Sequence, residues 1–176
     1  MDIKELLDQF TLFDPAKGQR AELPAVEGNY IVVLKAGCNI PDVLGNFKYT
    51  EISLHGVDYR VLYTGIASNL KRRIWTNHLH GNGGTSTFRK TLGSLFGYQK
   101  IARDNNYQNN KKTKFGAEDE NSLTGWMERN LLFAYLANDK KDELESFLID
   151  SLLPPLNVEG SKAATLKRVH ELRCDK

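Results

Sequence analysis

The chain has 176 residues, 40% of them hydrophobic, which suits one compact domain with its own core. No run approaches the ~18 apolar residues of a membrane span, no basic-then-apolar leader opens it, and Cys38 and Cys174 lie too far apart in sequence to suggest a stapled scaffold, so a reduced, cytoplasmic protein without membrane contact is expected. The net charge of +2 conceals an asymmetry: Arg60 to Gly116 holds eleven Lys/Arg and one acid, the remainder thirteen Lys/Arg and twenty-one acids, and such a basic centre is the footprint of a polyanion-binding protein.

Residues 1–10 read as a short amphipathic helix with Ile3, Leu6, Leu7 and Phe10 on one face, broken by Phe13-Asp14-Pro15 and Lys17-Gly18. Asn29 to Leu34 is an apolar strand with Tyr30 near its start. Gly37, Pro41, Gly45 and Asn46 mark turns, and Lys48 to Leu54 alternates. With His55–Asp58 as a turn, this predicts a β-hairpin inserted at about 36–60 before the buried strand Val61-Leu62-Tyr63. The chain turns at Gly65, and Ser68 or Asn69 can cap a basic helix running to His78. His80–Thr85 reads as a flexible polar loop, and Ser86 caps a helix from Thr87 to about Leu95. Residues 98–120 lack periodicity, and the polar, basic run Asn105–Lys114 within them reads as a mobile loop. Asn121 or Ser122 would cap a helix through Trp126 and Met127, and Leu131–Leu136 reads as a central strand, with a helix as the alternative. A helix opening at Asp139–Asp142 buries Leu144, Phe147, Leu148, Ser151 and Leu152 and is stopped by Pro154-Pro155. Ser161 to Arg173 is expected as a closing amphipathic helix.

Glu145 shares a helix side with Leu148, Ile149 and Leu152, at the edge of the apolar stripe. A carboxylate there needs a compensating cation or donors. Hard oxygen ligation suits Mg²⁺ or Mn²⁺; an edge glutamate reaching solvent is the plainer alternative. Arg72 and Arg73 are adjacent and must face different ways, so one can point towards Tyr63 while the other points to solvent or a phosphate, with plain solvated helix surface as the alternative. His78 continues the Leu70–Ile74 spacing and can belong to a buried face, and His78 with His80 lacks a nearby third ligand for zinc. Tyr30 and Tyr63 can be plain core, and Asn157 a turn residue. Gly81–Gly84 lacks the lysine and hydroxyl residue that end a phosphate-cradling loop, which argues against an NTPase.

In order and spacing, Gly28-Asn29-Tyr30, Tyr63-Thr64-Gly65, Asn69-Leu70-Lys71-Arg72-Arg73, His78, Glu145 and Pro155-Leu156-Asn157 together resemble the GIY-YIG nuclease family. The likeness runs from about Gly28 to Asn157. It implies an α+β fold with a small central, mostly antiparallel three-stranded sheet flanked by helices, here with the inserted hairpin. One nuclease domain would then span the chain: an N-terminal helix and arm at 1–27, a catalytic core at 28–157 and a C-terminal helix at 158–176. Carried over by position, Glu145 is the metal ligand, Tyr30 and Tyr63 the motif tyrosines, Arg73 the family arginine, His78 the active-site histidine and Asn157 a brace.

Asn29 and Thr64 replace motif isoleucines at what read as packing positions. The Arg73–His78 interval is longer than the family pattern leads one to expect, with His80 the reserve. The resemblance implies a Mg²⁺- or Mn²⁺-dependent DNA endonuclease of restriction, mobile-element or repair type, acting on double-stranded DNA, with a homodimer one way to make two cuts. Arg72, Arg89, Lys90, Lys100, Arg103, Lys111, Lys112 and Lys114 are the expected backbone contacts. Two alternatives stand beside it: a non-catalytic nucleic-acid-binding module on the same fold, and an interaction domain whose basic loop binds an acidic protein.

Overall fold

The computed structural model describes residues 2–41, 48–157, 169–171 and 173. Helix α1 (Ile3–Leu7) is capped by Asp2, whose side chain accepts from the Lys4 amide at 3.0 Å. Strand β1 (Thr11–Phe13) follows where the sequence suggested only a break. Strand β2 (Gly28–Leu34) is buried along its whole length, as an unalternating run of β-branched residues requires of an interior strand. Strand β3 (Glu51–Leu54) turns through His55 and Gly56 into the long β4 (Val57–Ala67). Both turn residues have positive φ, 52° and 82°, the backbone that a two-residue hairpin turn demands.

Beyond β4 come a π-helix (Arg72–Leu79), α2 (Thr87–Leu95), a two-stranded excursion of β5 (Lys100–Ala102), α3 (Tyr107–Asn110) and β6 (Thr113–Phe115), then α4 (Ala117–Asn130), β7 (Leu131–Ala137) and α5 (Lys141–Leu152). The main sheet runs β1-β7-β2-β4-β3 with every pair antiparallel. Alternate residues of β2 feed two cores. Tyr30, Val32 and Leu34 face the π-helix, α2 and α4 through Ile74, Phe88 and Met127. Ile31 and Val33 face α1 and α5 through Leu7, Leu148 and Leu152.

The α+β architecture agrees with expectation, but the sheet has five strands rather than three. β1 adds to β7 on one side, and β3 adds to β4 on the other. The hairpin's second strand and the strand carrying Tyr63 are one element, so the excursion extends β4 rather than standing apart from it. The run Asn105–Lys114 is not a structureless loop: it holds α3 and the start of β6, which pairs with β5, and α4 starts at Ala117, ahead of the expected caps Asn121 and Ser122. Acids at Glu118, Asp119 and Glu120 suit its positive end.

The predicted closing helix falls largely outside the described residues, as do Gly45, Asn46 and Cys174. Residues 169–171 and 173 are helical, with Val169 buried. Among the described residues no helix is long and apolar enough to cross a membrane.

Candidate active site

Tyr30 on β2 stands opposite Gly65 on β4. A Cβ at Gly65 would lie 2.6 Å from the Tyr30 hydroxyl oxygen, so only glycine lets the ring lie across the strand. Gly28 is held likewise, its missing Cβ facing the Leu136 carbonyl oxygen on β7. β4 carries one extra residue, Leu62, because Val32 pairs with Tyr63 and Val33 with Val61. That bulge lets Val61 stay in one core while Tyr63 remains on the Tyr30 side. The two rings come to 6.2 Å between centroids.

The next element explains the long Arg73–His78 interval. In the π-helix the His80 amide donates to the Trp75 carbonyl, five residues back, at 3.0 Å. Residues five apart, which an α-helix would turn well away from each other, are brought towards one side by this wider winding. Arg73 accordingly acts electrostatically on His78, Tyr30 and Tyr63. Leu70, Ile74 and His78 all bury, as their spacing predicted. His80, the reserve, is exposed and packs on Trp75 at 4.5 Å between ring centroids.

His78 uses both ring nitrogens. Nε2 lies 2.7 Å from the Tyr30 hydroxyl and Nδ1 lies 2.7 Å from the Ser86 hydroxyl. Burial, reinforced by Arg73 and Arg89, holds His78 well below its usual pKa, so it is neutral. Tyr30 is wholly buried; burial and then Tyr63 push its pKa well up, against the field of Arg73. Tyr63 is only half-buried. Burial raises it too, Arg73 opposes, the Glu145 carboxylate raises, and Arg173 lowers.

Glu145 sits half-buried on α5, the helix that packs on β4 and β2. Asn157 fixes the chain after that helix. Its Nδ2 donates to the Thr64 carbonyl and its Oδ1 accepts from the Thr64 amide, both at 2.9 Å, while the Leu156 amide donates to the Leu62 carbonyl at 3.0 Å. Side chain and backbone together serve the edge of β4 where β3 has ended.

Asn29 and Thr64 are not mere packing substitutes for isoleucine. Buried Asn29 donates to the Lys141 carbonyl at the start of α5 (2.8 Å), and the Thr64 hydroxyl donates to the Tyr30 carbonyl (3.1 Å).

A family model described as the GIY-YIG catalytic domain matches residues 28–175, most of the chain. The chain belongs to the GIY-YIG family. Comparisons with curated proteins and with solved structures find no significant match. A GIY-YIG domain is a nuclease domain, a hydrolase acting on nucleic acid, and such nucleases generally depend on a divalent metal.

The donor set suits a hard cation. Among the described residues no group of three or more His, Cys, Asp and Glu side chains gathers to hold a metal ion; the half-buried Glu145 carboxylate offers one hard oxygen donor that a cation with water in the rest of its shell could use. Mg²⁺, which dehydrates reluctantly, is commonly held in that way.

The expected backbone contacts divide. Arg72, Lys111 and Lys112 are exposed, and Lys90, Lys100, Arg103 and Lys114 are half-buried. Arg72 and Arg73 line a polar cleft of ≈ 210 Å³ with Ser68, Asn69 and Asn77. Arg89 is a correction: it is fully buried and presents nothing to a backbone. Its Nε donates to Glu120 (2.6 Å), Nη1 to the His78 and Leu79 carbonyls (3.0 and 2.8 Å), and Nη2 to the Glu120 carbonyl and the Thr124 hydroxyl.

The Gly81–Gly84 loop, expected to be loose, is tied in by the Gly83 amide donating to Glu120 at 2.7 Å. Two site residues escaped the sequence reading. Ser86 was visible only as a helix cap, and Arg173 carried no motif; its Nε is buried with no hydrogen-bond partner among the described residues.

Proposed function

We propose that this protein is a single-domain, Mg²⁺- or Mn²⁺-dependent endonuclease that hydrolyses phosphodiester bonds of double-stranded DNA. The observation that carries the reading is the convergence of Tyr30, Tyr63, Arg73 and His78 on one face of the sheet, within the field of Glu145.

Tyr63 is the residue that aligns and deprotonates the attacking water. It is the more exposed of the two tyrosines and the less strongly raised in pKa. Tyr30 is enclosed, and its hydroxyl is engaged by His78. His78 therefore acts through Tyr30 rather than touching the water, and Tyr30 steadies Tyr63. Arg73 lowers the cost of a phenolate on Tyr63 and neutralises charge on the phosphoryl oxygens. Asn157 braces the strand beneath Tyr63. Glu145 would hold the metal, which when bound supplies charge neutralisation at the leaving oxygen and cancels the carboxylate's raising effect on Tyr63.

Arg72, Lys90 and the basic β5–β6 excursion grip the backbone on either side of the cut. A homodimer or sequential nicking would give a double-strand break.

Plasmid nicking with Mg²⁺, with Mn²⁺ and with chelator is the test. Wild type should cut only with metal, and Glu145→Ala should bind DNA but not cut. Wild type that binds without cutting would instead identify a non-catalytic binding module. Full cleavage by Glu145→Ala would remove Glu145 from the chemistry.

A further inference from the structure

We propose that Ser86 is a positioning residue: its hydroxyl holds His78 in the tautomer that carries the ring proton on Nε2, and so sets the direction of the hydrogen bonds that reach Tyr63 through Tyr30. This rests on the reading of Tyr63 as base, and it assigns Ser86 a role beyond capping α2.

The argument is one of donors and acceptors. Ser86 is buried, and its oxygen accepts the Arg89 amide at 3.0 Å as the cap of α2. Its other partner is His78 Nδ1 at 2.7 Å. A neutral imidazole has one N–H and one bare nitrogen. Were the proton on Nδ1, Ser86 would receive two N–H donors, and its own buried hydroxyl hydrogen would have no acceptor among the described residues. A buried donor left unmade is costly. With the proton on Nε2, every group is used. Ser86 O–H donates to Nδ1, and Nε2–H donates to the Tyr30 oxygen.

Tyr30 then has its own proton to turn towards Tyr63. A hydroxyl donating to Tyr63 favours the phenolate there. The opposite tautomer draws the Tyr30 proton back to His78 and leaves Tyr63 without that donor. Ser86 therefore sits at the far end of a relay whose near end is the base. It stays out of reach of the substrate, since Tyr30 and His78 lie between and are buried.

The test separates this role from capping. Aspartate also caps helices well, but a carboxylate can only accept, so Ser86→Asp should keep α2 and force the proton onto Nδ1. Long-range ¹H–¹⁵N spectra of the ring nitrogens, with the His78 signals assigned by their absence in His78→Gln, read the tautomer directly.

Wild type and Ser86→Thr should carry the proton on Nε2, and Ser86→Asp on Nδ1. In Ser86→Asp, kcat should fall roughly a hundredfold with KM held and the rising limb of the pH–rate profile displaced upward. Wild type protonated on Nδ1, or a Ser86→Asp protein with unaltered tautomer and pH profile, would overturn the proposal. The wild-type spectrum decides it even if Ser86→Asp does not fold. If wild type cuts no DNA under any metal, the nuclease assignment of Tyr63 fails, while the ring spectra still rule on what Ser86 does to His78.

Discussion

Arg73 and Arg89 lie in one basic stretch and do opposite things. Arg73 is half-buried at a polar cleft, and its charge bears on Tyr30, Tyr63 and His78. Arg89 is sealed inside, with donors going to Glu120, Thr124 and the carbonyls of residues 78 and 79. Its carboxylate partner Glu120 also accepts the Gly83 and Phe115 amides, at 2.7 and 3.1 Å. Arg89 thus ties α2, α4, the end of the π-helix and the glycine loop together. A guanidinium is a reagent when its donors face a cleft and a scaffold when they are all consumed.

The largest expected effect breaks the pair on the reagent side. Arg73→Ala should lower DNA cleavage by about 10³-fold, the scale of losing a positioned charge-stabilising donor. DNA affinity should hold within a few-fold, and thermal unfolding should shift little. A variant that cuts at the wild-type rate would move Arg73 out of the chemistry and make the two arginines alike after all.

On the scaffold side, Arg89→Met should cost roughly 3–5 kcal/mol of stability, because it strands the Glu120 carboxylate in the interior. Urea unfolding measures it. Replacing both partners, Arg89→Met with Glu120→Leu, should recover part of the loss. An Arg89→Met protein of unchanged stability but weakened DNA binding would return Arg89 to the interface.

That contrast marks where the sequence was legible. Features carried by local chemistry were readable: the β2 run, the Ser86 cap, the proline stop after α5, and Glu145 at the edge of an apolar stripe. The order of motif residues gave the family. Features decided by distant partners were not. β1, β5 and β6 are three residues each and exist because β7, or each other, supply hydrogen bonds. Arg89 reads as one more surface cation until Glu120 is brought beside it by the fold. The π winding hid in plain sight as a spacing anomaly. Asn29 looked like a degenerate motif isoleucine, yet its amide reaches Lys141 across the domain.

His78 lies between the two arginines, within the field of both, and its pKa is lowered first by burial and then by them. The folded state keeps it neutral where the unfolded chain takes up a proton near 6.5. The stability that this supplies is present above that pH and is lost as pH falls below it. The slope should approach about 1.4 kcal/mol per pH unit for this one proton. Urea titrations from about pH 7 down to about pH 5 should show a shallower slope for His78→Gln than for wild type. Equal slopes would mean that His78 titrates normally in the fold and that the arginines exert no net field on it.

The smallest effect on the fold comes from cations that neither arginine resembles. Lys111 and Lys112 are exposed, and Lys114 is half-buried on β6. Lys111 leans over the Tyr107 ring, 5.4 Å from its centroid, and Lys112 makes no side-chain ion pair among the described residues; neither is held as Arg89 is. Changing all three to glutamine should therefore alter stability by no more than about 0.5 kcal/mol. It should still change how binding responds to salt, since each lysine that neutralises a phosphate adds about one unit to the slope of log K against log [salt]. Loss of about three units, with metal-dependent cutting still detectable at low salt, would make the β5–β6 excursion a clamp on the backbone. A slope equal to wild type would leave Arg72 and the cleft beside Arg73 as the contact with DNA, and the basic excursion as surface.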